Sequence, residues 1–484
     1  MKSLANASPE STCPAAPLPD NLPEKPQERL SVFEKIAYGL GTFGDQLTTN
    51  AINQTVRPVF NIVLGVSPTL IGSALMVGKL IDAFTDPLMG AISDNTRTRW
   101  GRRRPYIFWG SFSCALAFPL IWFVPQAWGQ WGMMAYLVVT LTLIAILSTI
   151  YSVPWTALGM EMTPDYHERT QVMVYRTLLT KGIWFVIPWF WAWSQCKIFS
   201  TPLIGMRWIG LGVSLVTLLS GLICFTGCRE RYYKAAQRQE KIQLSKAVGI
   251  TLRNKPFMIV LLITLIQVIG IATTVGGLTL YVSTYWVYQG DLSAGATMAA
   301  SLGTMKAVVG LLVLPLISFL ARKIGKKATM GGCLGLAFIG SVLNWFCFSR
   351  AFPMLQVVPA MFFAPSMTAF WLINGSMRAD VVDHDEMQTG SRREGIYGSI
   401  GRWFEKLAFA GSLLLSGVIL DLVGFDAALK SNQTPETLLN MRIAFSALPA
   451  IAMLIGLYLV KIYPLTERVM QDYRVELENR RGKV

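Results

Sequence analysis

Charge is scarce in this chain, at 15% of its 484 residues, where an ordinary soluble domain carries about 25%. Histidine is scarcer, with only His167 and His384, both expected in loops. The seven cysteines are scattered, mostly inside apolar stretches, with no CxxC and no nearby partner for Cys196. A disulfide framework, a zinc site and haem ligation are therefore all excluded. Apart from a pair of aspartates that lacks a His or Lys partner at matching spacing, no activated nucleophile, metal-ligand set or acid–base pair stands near an apolar stretch, so an enzyme and a resident cofactor are not expected. The first residues lack the basic-then-apolar order of a cleavable signal; they are polar and rich in proline, from Pro9 to Pro26.

What is present is hydrocarbon. Hydrophobic residues make up 52% of the chain, and the mean hydropathy is +0.44. Composition of this kind belongs to integral membrane proteins, whose outer surface meets lipid. The net charge of +15 sits mainly in short connections between apolar runs. It therefore reports membrane orientation and not a nucleic-acid surface.

At about 20 apolar residues per crossing, the chain reads as twelve transmembrane helices. They cover 36–64, 68–93, 105–125, 132–158, 169–195, 203–226, 257–288, 294–321, 328–348, 355–378, 395–424 and 439–463. Basic residues crowd the even-numbered connections, which places both termini in the cytoplasm of a multi-pass cell-membrane protein. The division expected is a disordered tail over 1–31, a six-helix half over 32–226, a linker over 227–256, a second half over 257–463 and a tail over 464–484. PLMGAIS before RWGRRRP, in the first half, is echoed by PLISFLA before KIGKKAT in the second. Two such halves around a central site are a transporter architecture.

The stretch KLIDAFTDPLMGAISDNTRTRWGRRRP, from Lys79 to Pro105, carries the sharpest signal. A charge at mid-bilayer costs about 2.5–3.5 kcal/mol, so an intramembrane carboxylate calls for a reason. Asp82 and Asp86 are four residues apart and leave one helix face one turn apart, with the Thr85 hydroxyl between them. Two carboxylates and a hydroxyl make an oxygen pocket for a small hard cation or a proton. The competing reading is a structural pair with Lys79, or with a lysine on another helix. Asp45, Gln46, Asn50, Asn53 and Arg57 make the first span too polar to face lipid, so one of its faces must line an aqueous cavity. Arg57 is equally well placed to snorkel outward. Thr149, Ser152 and Pro154 polarise the inner part of the fourth span, Arg176 and Lys181 the fifth, and Trp371, Asn374, Arg402, Glu405 and Lys406 the tenth and eleventh. Glu405 and Lys406 are read as a possible mutually neutralising pair.

KLIDAFTDPLMG, the RTRWGRRRP turn and ADVVDHDEMQTGSRREGIYGSIGRWFEKLAFAG together resemble the glycoside-pentoside-hexuronide cation symporters of the major facilitator superfamily, the group of melibiose permease. The resemblance spans about 32 to 463. It implies an all-α integral membrane fold and Na+- or H+-coupled symport of a sugar, glycoside or uronide by alternating access, in a bacterial inner membrane. Asp82, Thr85, Asp86 and Thr149 fall on the family's cation ligands. Arg176, Trp371 and Lys406 fall on its sugar-site residues. The sugar-binding Asp of its first helix aligns with Gln46 or, one residue off, Asp45, and that of its fourth is replaced by Ser152. Losing that acceptor makes an anionic sugar plausible. Asp94 and the RTRWGRRRP turn, with Arg97 and Arg102, and the acidic run Asp380, Asp383, Asp385 and Glu386 opposite Arg392 and Arg393 are expected to form gating ion pairs at the cytoplasmic face. A lysolipid symporter of the same family and a non-transporting membrane sensor are the alternatives.

Overall fold

The computed structural model describes residues 29–163, 165–230, 253–390 and 393–481. Among them helix is the only extended regular structure, apart from an isolated bridge between Thr98 and Gly101 in the first basic turn. Twelve long helical segments follow one another in the described residues. They are α1 over 32–63, α2 Pro68–Asn95, α3 Arg104–Trp122, α4 Gly129–Glu161, α5 over 166–194, α6 Pro202–Gly227, α7 Lys255–Val287, α8 Leu292–Lys323, α9 Lys326–Cys347, α10 Pro353–Thr389, α11 Glu394–Leu422 and α12 Pro435–Ile462. A shorter amphipathic helix, α13 Glu467–Arg481, lies in the segment read as a tail. Most of the expected tail over 1–31 and of the linker over 227–256 lies outside the described residues.

Helix starts follow local chemistry. Ser31 and Glu34 form a reciprocal capping box at α1. Asp165, Thr201, Asn254, Asp291 and Thr434 each accept a backbone N–H of the turn they open. Among the described residues nine helices are long and apolar enough to cross a bilayer. The remaining long segments, α1, α2 and α5, are those loaded with charge and amide groups.

One expected boundary moves substantially. The tenth span, read as ending near 378, continues as helix to Thr389 and stops at Gly390, which adopts a left-handed conformation with φ 69°. No proline or glycine interrupts 379–389, so nothing ends the helix earlier. Asp380, Asp383, His384 and Asp385 therefore sit on its last turns and not in a loop.

Buried apolar residues form clusters that divide along the chain. Two draw almost wholly on residues 30–228, with Ala296 alone joining from beyond, and three draw on 257–465. The two sets meet most extensively where α2 packs on α11. Gly72 and Gly417 allow that approach: a Cβ at Gly72 would stand 2.8 Å from the Leu413 carbonyl, and one at Gly417 would strike the Pro68 backbone. α1 and α7, the first and seventh helices, each loosen twice into π-helical turns, at Phe43–Leu47 and Pro58–Val63 and at Ala272–Gly276 and Val282–Val287. Such turns concentrate at functional positions.

Candidate functional site

Where α2, α4 and α11 meet, the paired carboxylates are held from both sides. The Thr149 hydroxyl of α4 lies 3.2 Å from Asp82 Oδ1, 3.2 Å from Asp86 Oδ1 and 3.0 Å from Thr85 Oγ1. From α11 the Lys406 ammonium reaches Asp82 Oδ2 at 3.3 Å and the Asp82 carbonyl at 3.3 Å, and it also donates to Asp86 Oδ2. Lys79, one turn earlier on α2, stands 3.8 Å from Asp82 Oδ2. The four residues expected at a cation site are thus neighbours. Lys406, expected to face a sugar, reaches the carboxylates instead. Glu405 is not its partner: Glu405 pairs with Arg378 at 2.5 Å. The site is half-buried, the Asp82 side chain being 20% exposed and Asp86 33%. Chemically it is a pair of carboxylates and two hydroxyls gathered around one ammonium.

A second polar patch lies beside it on α1, α4 and α5. The π-turn at Phe43–Leu47 carries Asp45 and Gln46 side by side, with Gln46 Nε2 donating to Asp45 Oδ2 at 2.6 Å and Asn50 donating to the Gln46 carbonyl at 2.8 Å. Asp45 is within Coulombic reach of both Arg176 and Asp82, so the patch and the carboxylate pair share one field. The Arg176 guanidinium stacks over the Trp155 ring at 4.6 Å. Trp155 is fixed in turn by stacking on Tyr38 and by donating from Nε1 to the Tyr38 carbonyl. Ser152 is half-buried on α4, one turn after Ser148 and Thr149. Trp371 is 61% exposed and meets Phe370 edge-on.

The expected cytoplasmic ion pairs form in part, Asp94 with the basic turn and Asp385 with Arg393, while other partners differ. Arg103, not Arg102, holds Asp94, at 2.8 Å, and both arginines converge on Glu161 at 2.6 Å. Burial works against the Arg103 charge, but its hydrogen bond to Glu161 and the charges of Glu161 and Asp94 outweigh it and raise its pKa. The Glu230 carboxylate accepts the backbone N–H groups of Arg102, Arg103 and Arg104 at 2.8, 2.7 and 3.0 Å. Arg97 is exposed on the turn. Asp380 pairs with Lys326 at 2.6 Å and Asp385 with Arg393 at 3.1 Å. Asp383 is half-buried on α10, and Arg392 lies outside the described residues. The ion pairs named here join residues within 94–230 or within 326–393, and Lys35 on the first turn of α1 meets Glu168 of the same set at 3.8 Å.

Besides the link from Lys406 to the carboxylates of α2, bonds between the two sets occur at the opposite end. Asp421 accepts from Ser67 Oγ at 2.7 Å and from the Thr69 amide at 2.9 Å. Arg57 donates to the Leu413 carbonyl at 3.0 Å, Tyr281 to Asn61 Oδ1 at 3.0 Å and Trp189 to Thr304 at 2.9 Å. Sequence reading missed Glu161, Glu230 and Asp421, because a lone acid near a helix end carries no local pattern.

Comparison with known proteins agrees with this arrangement. The family description "MFS/sugar transport protein" matches residues 37–467, and the chain belongs to that family. It is a multi-pass membrane transporter and not an enzyme. An uncharacterized symporter of Synechocystis sp. is 28% identical, over 94% of this chain and 98% of its own. A glucuronide carrier protein homolog of Escherichia coli is 24% identical, over 94% and 97%. Among solved structures a D-xylose-proton symporter shares the fold, with a TM-score of 0.64 at 14% identity over 90% of this chain and 97% of its own. The resemblance to the glycoside-pentoside-hexuronide group, read from its motifs, fits these relatives.

Proposed function

We propose that the chain couples the entry of Na+ or H+ to the uptake of a sugar, glycoside or uronide across a bacterial inner membrane, with both termini in the cytoplasm. The observation that carries the coupling is the Lys406 ammonium lodged against Asp82 and Asp86. A hard cation binding the same oxygens, with Thr85 and Thr149 completing the set, displaces that ammonium. Because Lys406 comes from α11 and the carboxylates from α2, the displacement cuts a charge link between 32–226 and 257–463, the halves that rock. Asp45, Gln46, Ser152, Arg176 and Trp371 line the sugar site next to it. By linkage, cation and sugar strengthen each other's binding by the same factor. The bonds at the end away from the basic turns, from Asp421 to Ser67 and Thr69 among them, support a state closed to the outside and poised to exchange with the cytoplasm.

The test is uptake of a panel of neutral and acidic glycosides into vesicles, with imposed sodium and pH gradients. Asp86→Asn is expected to abolish accumulation against a gradient while retaining substrate exchange. Accumulation that survives Asp82→Asn and Asp86→Asn together would remove the coupling site from these residues.

A further inference from the structure

A small, partly open cavity of about 80 Å³ lies between α1, α5, α7 and α8, near the end where the two sets are bonded together. It is far from large enough for a whole sugar, since ligand pockets run to about 300 Å³ and more. It has room for a few water molecules, or for one ionised substituent. Its walls are unusual in sign. Arg57 and Lys306 both line it, and no acidic side chain does, among the described residues. Arg57 is 4% exposed, which rules out the snorkelling read from its sequence position. Its NH2 donates to the Leu413 carbonyl while its buried Nε has no partner. Trp191 lines the same cavity and its buried Nε1 is also unpartnered. The Asn53 amide, a third wall, has its oxygen unsatisfied; the opposite amide orientation fits the same shape and turns an N–H inward. Lys306 is in no ion pair among the described residues. Two cations and unused donors around a void with no carboxylate in its walls cost stability unless something negative enters.

We propose that this cavity is the subsite that captures the acidic substituent of an incoming sugar, a carboxylate or sulfonate held between Arg57 and Lys306. The planar guanidinium fork matches either oxyanion, and the ammonium supplies the second charge. About three turns of α1, roughly 16 Å, separate Arg57 from Gln46. The cavity is therefore an entry subsite, met first when the outer end opens, and distinct from the patch at Arg176. This inference rests on the reading of the chain as a sugar symporter.

Initial uptake rates into vesicles, for a uronide and for its neutral parent glycoside, test it in wild type, Arg57→Gln, Lys306→Met and Lys306→Arg. The expected result is a KM for the uronide raised about tenfold in Arg57→Gln and in Lys306→Met, with that for the neutral glycoside unchanged. Lys306→Arg restores uronide uptake, and inorganic sulfate competes with the uronide in wild type but not in Lys306→Met. Arg57→Gln also removes the bond to Leu413, so Lys306→Met, which breaks no bond between the sets, decides if Arg57→Gln is misfolded. Equal shifts for both glycosides, or carriage of the neutral one alone, overturn the subsite and leave symport standing. Sulfate stabilisation of the protein that depends on Lys306, without discrimination between glycosides, overturns it in favour of a free-anion site. Accumulation of neither glycoside in wild type overturns both.

Discussion

Thr149 touches both carboxylates at once, a position no other neutral side chain at the site shares in the contacts described above. Its methyl group has no coordinating power, so Thr149→Val keeps the shape and deletes one oxygen. Cation affinity in Thr149→Val is expected to fall about tenfold with little loss of stability, as measured by titrating sodium or pH against sugar binding. Lys406→Gln is expected to act oppositely, raising apparent cation affinity because the competing ammonium is gone. The carboxylate pair was legible in the sequence, because a four-residue spacing inside hydrocarbon fixes both the face and the cost. The lysine was read as a sugar-site residue of the eleventh span, and a pairing of the aspartates with a lysine of another helix was foreseen without saying which one. Its partners lie more than three hundred positions earlier, and no helical periodicity connects residues that meet through tertiary packing.

Among the elements, the basic turn between α2 and α3 is the most heavily cross-linked. Glu161 at the end of α4 holds Arg102 and Arg103, and both arginines are nearly buried. Replacing Glu161 with Gln leaves two inward-facing cations undercompensated, a loss of about 3 kcal/mol for a buried pair deprived of one partner. A lower thermal unfolding midpoint in detergent checks this, and unchanged stability would mean that the turn is held by Glu230 alone. Helix positions were readable to within a few residues at most ends, since apolar length and capping residues act locally. The π-turns of α1 and α7 were not. They arise where a residue is inserted into the hydrogen-bond ladder, and the glycines they contain, Gly44 and Gly276, do not distinguish a π-turn from an ordinary helix that tolerates a glycine.

At the scale of the whole molecule, the side-chain bonds between the two sets gather at the end away from the basic turns, apart from those of Lys406. Asp421 supplies one carboxylate to two donors of the other set, at the start of α2. Asp421→Ala removes both bonds and leaves the α2–α11 glycine contacts intact. The expected outcome is a shift of the population towards the outward-open form by about 2 kcal/mol, seen as faster labelling of a cysteine placed in the Arg57 cavity from the outside. Labelling at the wild-type rate would show that helix packing, and not the aspartate, holds that end shut. The Arg103, Asp94 and Glu161 cluster stays inside one set, so opening the basic end breaks none of those three contacts.

Glu230 has a mechanical consequence of its own. Its carboxylate clamps three consecutive amides of the first basic turn, and it stands just after α6, where the chain leaves the first set for the second. A pull on the chain at residue 230 is therefore taken up at a rivet on the turn before it reaches the helix–helix contacts of α6.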